Sequence, residues 1–321
     1  MPSPRIIHWN PLSGEPLGLG PVVLSVGVFD GVHVGHRFLL QAAAQRAQAL
    51  GARLATISFD ADPDEFFVPP EARGGKLLSN EGRLQLLAQV TGGTVVSLPA
   101  SRELYAMQPE AFLASMGAIG APRAVYVGCD FRFGAHASGS VQDIARWCGG
   151  HGCQCMPTQL LQRDGVPVTA TRIRGLLGQG EVAQARELLA GRAHSVHGQV
   201  VRGRGAGAGL GFATANLLLD EDGPMLPAEG VYGGYAHVDG QRYPAAVNVG
   251  VARSFSAATA PVEAHLLGFA GELYGKRVEV SFAQWLREPR VFASKEELVR
   301  TVTGNIEWVR ENLGGGADGA H

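Results

Sequence analysis

The chain has 321 residues, which at about 150 residues per domain predicts two domains, and 27 Lys and Arg against 29 Asp and Glu leave a net charge of −2. That balance, with no long run of one sign, excludes a non-specific nucleic-acid binder, and 17% charged with 45% hydrophobic residues excludes disorder. Glycine is the outlier at 45 residues, about twice its usual ~7%, so an ordered fold with many glycine turns is expected.

The first half alternates strands with helices. An apolar strand over 22–29 ends in the turn Asp30-Gly31, and a helix follows over 36–50 with Gly51 past its end. Further strands are predicted at 54–59, 94–98, 124–127 and 153–156, and further helices at 81–90, 109–118 and 141–148. Strand–helix–strand repetition implies a parallel sheet covered on both faces. Ligands of such sheets bind beyond the carboxyl ends of the strands, which points to the loops 29–36, 59–67 and 127–140. A short helix at 172–177, capped by Thr171, and another at 181–189 precede a change of pattern. Strands broken by Gly turns then follow at 197–201, 230–237, 242–249, 262–267 and 277–285, with Asp239-Gly240 as a hairpin turn. A closing helix over 294–312 carries a capping box, Ser294 with Glu297. The reading is an α/β domain over 1–190 and a β-barrel domain over 191–321.

No apolar run reaches the ~18 residues that span a bilayer, and the start has no charged region leading into an apolar one, so no signal peptide is read. Cys129, Cys148, Cys153 and Cys155 lack the spacing of a structural zinc site and are taken as thiols of a reducing compartment. A cytoplasmic protein with no membrane or nucleic-acid partner is expected.

The segment Gly27-Val28-Phe29-Asp30-Gly31-Val32-His33-Val34-Gly35-His36 runs from a strand end into a helix N-terminus, where free N–H groups and the helix dipole favour phosphate. His33 and His36 there form an H-x-G-H pair, and imidazole N–H groups aimed at a polyphosphate stabilise charge that develops when phosphorus is attacked. Thr171-Arg172-Ile173-Arg174 places a hydroxyl beside two arginines at a helix start, suited to a triphosphate or to ordinary capping. Asp130-Phe131-Arg132-Phe133-Gly134 follows a strand end, where two Phe rings border a flat ligand or pack the loop.

These three segments together resemble the bacterial bifunctional riboflavin kinase/FMN adenylyltransferases, or FAD synthetases. That family's first domain, a Rossmann-like nucleotidyltransferase fold, carries GxFDGxHxGH, VGxDFxFG and an ISSTRIR-like motif in this order. The chain matches the first throughout, the second nearly so, and has VTATRIR at 168–174. The family's F-x-P-H-P appears as Phe59-Asp60-Ala61-Asp62-Pro63. The resemblance implies that His33 and His36 activate ATP for attack on the α-phosphorus, with Gly27, Phe29, Asp30, Gly35 and Thr171 lining the nucleotide and Arg172 and Arg174 on the departing pyrophosphate. Asp62, Asp130, Phe131 and Phe133 would face the flavin.

In the second half, Thr214 and Asn216 lie two apart on an extended chain and face one side; a hydroxyl and an amide oxygen there suit Mg²⁺ and phosphate oxygens. Glu263 shares a strand face with His265 and is a candidate base for a substrate hydroxyl. His197-Gly198-Gln199-Val200, a glycine-alternating run over 203–211, Leu226-Pro227-Ala228-Glu229-Gly230-Val231-Tyr232 and Leu273-Tyr274-Gly275 resemble the same family's riboflavin kinase domain. The resemblance implies that Thr214 and Asn216 hold Mg-ATP and that Glu263 deprotonates the ribityl hydroxyl. It departs at Ala206 and Ala208 in the flap, at Ala213, at 251–254 and at Gly268.

The expected function is FAD synthesis with ATP and Mg²⁺: riboflavin to FMN in the second domain, FMN to FAD with pyrophosphate release in the first. Two alternatives remain at this point. One is an adenylyltransferase with a non-catalytic flavin- or nucleotide-binding barrel; the other is a nucleotidyltransferase for another phosphorylated small molecule.

Overall fold

A computed structural model describes residues 5–69, 72–202, 214–250 and 260–315. Its contacts divide into two compact units, one of residues 1–74 and 78–170, the other of 75–77 and 171–321.

The first unit is built on strands that are apolar on both faces. In β2 (Pro21–Val26), every residue after Pro21 is buried, as a strand covered on both sides requires. With β1 (Arg5–His8), β3 (Arg53–Phe59), β4 (Thr94–Leu98), β5 (Ala121–Gly128) and β6 (Gln154–Thr158) it forms a parallel sheet of order β1-β4-β3-β2-β5-β6. The connections are α1 (Val34–Ala49), α2 (Asp64–Phe67), α3 (Asn80–Thr91), α4 (Arg102–Tyr105), α5 (Pro109–Ile119) and α6 (Val141–Gly150). Leu39, Leu40, Ala43 and Ala47 bring α1 onto one face of the sheet, where Leu84 and Leu87 of α3 join them. Phe112, Leu113, Met116 and Ile144 of α5 and α6 cover the other. From β2 the chain builds outward through β3 and later returns to β2's other side with β5. The order reverses between β2 and β5, and their carboxyl ends form the crevice in which doubly wound sheets bind ligands.

After the short hairpin β7 (Gln162–Arg163) and β8 (Val166–Pro167) come α7 (Ala170–Gly178) and α8 (Val182–Leu188). The second unit is a closed antiparallel barrel of order β10-β13-β12-β11-β14-β9. Its strands are β9 (His194–Val201), β10 (Ala215–Leu219), β11 (Gly230–Val238), β12 (Gln241–Val249), β13 (Val262–Leu266) and β14 (Arg277–Arg287), and α9 (Lys295–Leu313) follows them. Closure leaves no strand edge unpaired. Alternation is strict: Val262, Ala264 and Leu266 of β13 are buried, while Glu263 and His265 are half-buried. Asp239 and Gly240 join β11 to β12 with φ of 52° and 75°, the primed turn that suits twisted hairpins.

Several sequence expectations are refined. By contacts the second unit begins at Thr171, and within it α8 buries Val182, Ala185 and Leu188, and the Trp285 ring lies where a Cβ on Gly180 would be. α7 begins at Ala170, so Thr171 sits inside its first turn and does not cap it. At α9 the Ser294 hydroxyl accepts the Glu297 N–H, but the Glu297 carboxylate takes the N–H of Ala293 rather than that of Ser294. The flap over 203–211, Ala213 and 251–254 lie outside the described residues.

Candidate active sites

The crevice of the first unit is shaped by a run of left-handed backbone directly after β2. Phe29, Gly31 and Val32 have φ of 59°, 74° and 44°, a conformation that costs non-glycine residues and collects at functional turns. The turn tucks the Phe29 ring beneath the loop, so that a Cβ on Gly27 would meet it at 3.0 Å. The chain then enters α1 with His33 as its N-cap: His33 Nδ1 accepts the N–H of His36 at 3.3 Å. That bond keeps Nδ1 unprotonated and places the ring's proton on Nε2. The two imidazoles stack with centroids 3.6 Å apart and planes 17° from parallel, and Phe29 meets His36 edge-on at 5.3 Å. A Cβ on Gly35 would lie 3.1 Å from the His33 ring and 3.4 Å from the Val168 carbonyl. Glycine at 27 and 35 thus makes room for the rings. Asp30 is buried.

Burial lowers His33 to a pKa of about 4, and burial together with its neighbour His33 holds His36 well below the imidazole range. His36 Nδ1 is buried without a hydrogen-bond partner among the described residues. The site therefore offers two uncharged imidazoles at the positive end of α1, stacked because neither carries the second proton whose charge would repel the other.

On the other side of the crevice, after β5, Asp130 is exposed, Phe131 half-buried and Phe133 buried in the core. Phe131 lies nearly parallel to Phe133 at 5.8 Å, with Phe112 behind at 5.4 Å. Phe133 thus backs Phe131, and Phe131 is the ring left with an open face. After β3, Asp62 Oδ1 accepts the N–H of Asp64 at 3.0 Å, and Phe59, Phe66 and Phe67 gather around Tyr105 within 5.6 Å. Thr171, Arg172 and Arg174 belong to the second unit, where Arg174 Nε donates to the Gly75 carbonyl at 2.7 Å.

In the barrel, register brings three polar residues into one row. Asn216 of β10 pairs with Glu263 of β13, and Glu263 pairs on its other side with Asn248 of β12. All three are half-buried on the face opposite Ala215, Val247 and Val262, and alternation puts Thr214 on the same face. Burial raises the Glu263 carboxyl above its ordinary range, which makes it a stronger base. Thr214, Asn216 and Glu263 supply oxygen donors alone, the chemistry a Mg²⁺ bound largely through substrate phosphates requires. Asn248 escaped the sequence reading, since only the β12–β13 register relates it to Glu263.

A curated protein of Pseudomonas fluorescens, described as a bifunctional riboflavin kinase/FMN adenylyltransferase, is 32% identical over 294 residues, covering 90% of this chain and 92% of that one. The chain belongs to that family. The Escherichia coli K12 bifunctional riboflavin kinase/FMN adenylyltransferase is 30% identical over 295 residues, with 91% and 93% covered. The FAD synthetase family model matches residues 18–172 and the riboflavin kinase model residues 190–313, so His33 and His36 fall within the first match and Asn216, Asn248 and Glu263 within the second. A solved structure from Streptococcus pneumoniae, described as a macrolide-efflux protein, has the same fold: TM-score 0.83 at 24% identity over 95% of this chain and 98% of that one. No helix among the described residues is long and apolar enough to cross a membrane.

Proposed function

We propose that this family member makes FAD in two steps, one in each unit. In the barrel the riboflavin 5′-hydroxyl attacks the γ-phosphorus of ATP, its proton passes to Glu263, the bond from the γ-phosphorus to the ADP oxygen breaks, and FMN and ADP result. In the first unit an oxygen of the FMN phosphate attacks the α-phosphorus of a second ATP, the bond to the β-phosphate bridge breaks, and FAD and pyrophosphate leave.

The observation that carries this reading is the stacked, neutral pair His33 and His36 at the N-terminus of α1. Uncharged imidazoles donate N–H bonds to charge that grows as phosphorus is attacked, without first neutralising the ground-state phosphates. Phosphoryl and nucleotidyl transfers depend on such placement rather than on a covalent nucleophile. The open face of Phe131, backed by Phe133, suits an isoalloxazine ring. Gly27, Phe29, Asp30 and Gly35 shape the nucleotide loop from below. Thr171, Arg172 and Arg174 are proposed for the triphosphate tail, and Asp62 and Asp130 for the flavin side. Thr214 and Asn216 would hold Mg²⁺, which when bound neutralises phosphate charge, and Asn248 and Asn216 flank Glu263. Four free thiols fit a reducing, cytoplasmic setting.

Purified protein incubated with riboflavin, ATP and Mg²⁺ tests the proposal. FMN that is then converted to FAD is expected; failure to form FMN refutes the barrel step, and failure to form FAD from supplied FMN refutes the other.

A further inference from the structure

Arg83 in the sequence is one charge on a helix, yet the structure exposes 1% of it and makes it the largest wholly buried side chain among the described residues. It extends from the start of α3 to the carboxyl ends of β2 and β3. Nη1 donates to the Val28 carbonyl at 2.8 Å and to Ser58 Oγ at 2.7 Å, and Nη2 donates to the Phe59 carbonyl at 2.9 Å and to Asn80 Oδ1 at 3.2 Å. The Ser58 hydroxyl in turn donates to the same Val28 carbonyl at 3.1 Å. Burial lowers the guanidinium's pKa, and the carboxylates of Asp62, Asp30 and Glu65 and the Tyr105 hydroxyl oppose that shift.

Val28 is the residue before Phe29, where the left-handed turn starts. Its carbonyl, two residues past the end of β2, is therefore held in place just before the chain swings into His33 and His36. A planar fork with donors in two directions reaches Val28, Ser58 and Phe59 together; an ammonium lacks that geometry. Enclosed on all sides, the guanidinium is out of reach of a substrate phosphate, so its influence passes through the backbone it holds.

We propose that Arg83 is a positioning residue for adenylyl transfer: by clamping the Val28 carbonyl it sets the turn that presents His33 and His36 as one stacked pair. The proposal rests on the adenylyltransferase reading above. Barrel chemistry in the same chain serves as an internal standard.

The test compares full-length wild type, Arg83→Lys, Ser58→Ala and the double variant. It measures FAD formation from FMN, riboflavin phosphorylation, and the stoichiometry and affinity of ATP binding by calorimetry. For Arg83→Lys the FMN-to-FAD kcat is expected to fall roughly tenfold or more, as small displacements of reacting groups do, with KM for ATP and binding stoichiometry unchanged. Ser58→Ala should lose about threefold, the scale of one hydrogen bond, and the double variant should be no worse than Arg83→Lys, because both groups act on one carbonyl. Riboflavin phosphorylation should stay at the wild-type rate throughout. Wild-type kcat in Arg83→Lys, a kcat loss that follows lost binding stoichiometry, or multiplicative losses in the double variant would overturn the role. If Arg83→Lys does not fold, Ser58→Ala decides: an unchanged kcat overturns it. A wild-type protein that makes no FAD from FMN overturns the function on which the role rests.

Discussion

His33 and His36 occupy the mouth of one short turn, three positions apart and held by local bonds, whereas Glu263, Asn216 and Asn248 come from three strands and meet only through register. Burial acts on both groups in opposite chemical senses. It disfavours the second proton on each imidazole, leaving neutral rings that keep one N–H to donate, and it raises the carboxyl, leaving a better acceptor of a hydroxyl proton. One site is thus prepared by a contiguous motif and the other by a wall assembled from distant segments.

The sharpest way to break that comparison is reciprocal. His36→Ala should lower FAD formation from FMN by about 10²–10³-fold, the scale of a lost electrostatic donor, with riboflavin phosphorylation unchanged. Glu263→Gln should lower FMN formation by about 10²–10⁴-fold, the range of general-base loss, with FAD formation from FMN unchanged. Separate steady-state assays of the two steps check both, and a loss that crosses from one step to the other would join what is here kept apart.

Acid titration sharpens the contrast next. His33 and His194 are held near pKa 4 by burial, and burial with the neighbouring His33 holds His36 well below the imidazole range, against about 6.5 unfolded. Between those values the unfolded chain binds more protons, so this stability is present above about pH 6.5 and is lost as pH falls toward 4. Each ring contributes roughly 1.4 kcal/mol per pH unit across the window. The first unit has two such rings, His33 and His36. The barrel has His194, and the raised Glu263 works against it there by favouring the protonated folded state. Scanning calorimetry from pH 7 to pH 4.5 should therefore show the first unit's transition falling faster than the barrel's; parallel slopes would contradict the buried neutral pair.

Gly35→Ala should press a methyl onto the His33 ring, costing about 1–3 kcal/mol as overpacking does. It should slow FAD formation while leaving the kinase step intact, as paired rate measurements would show. The smallest effect expected is from Ser294→Ala, which removes the cap of α9 for about 1 kcal/mol and should lower the barrel's Tm without altering either rate.

The sheet, the barrel and the imidazole pair were legible because each is written in local pattern: apolar runs, glycine turns and H-x-G-H. β1, with two apolar residues in Arg5–His8, is too short and too polar at its ends to stand out, and it exists by pairing with β4. β10 was visible as an extended chain at Thr214–Asn216 but not as a stave, since its partners lie at 197–201 and 262–264. Arg83 has no sequence signal, because a charge on a helix is ordinarily solvated, and its acceptors come from the loop after β2, from β3 and from the first residue of α3. The close packing at Gly27 and Gly35 also needed coordinates: the atoms nearest an added Cβ belong to Phe29 and His33.

All six strands of the parallel sheet precede Pro157–Thr158 or end there, whereas β9 is zipped to β14, where His194 faces Phe282 and Gln199 faces Arg277. During synthesis the adenylylating half can thus condense once its own residues have left the ribosome. The barrel waits for a strand some 80 residues downstream, since loop closure must precede that pairing. For that interval the nascent protein carries the stacked imidazole pair of the first unit and a barrel that is not yet closed.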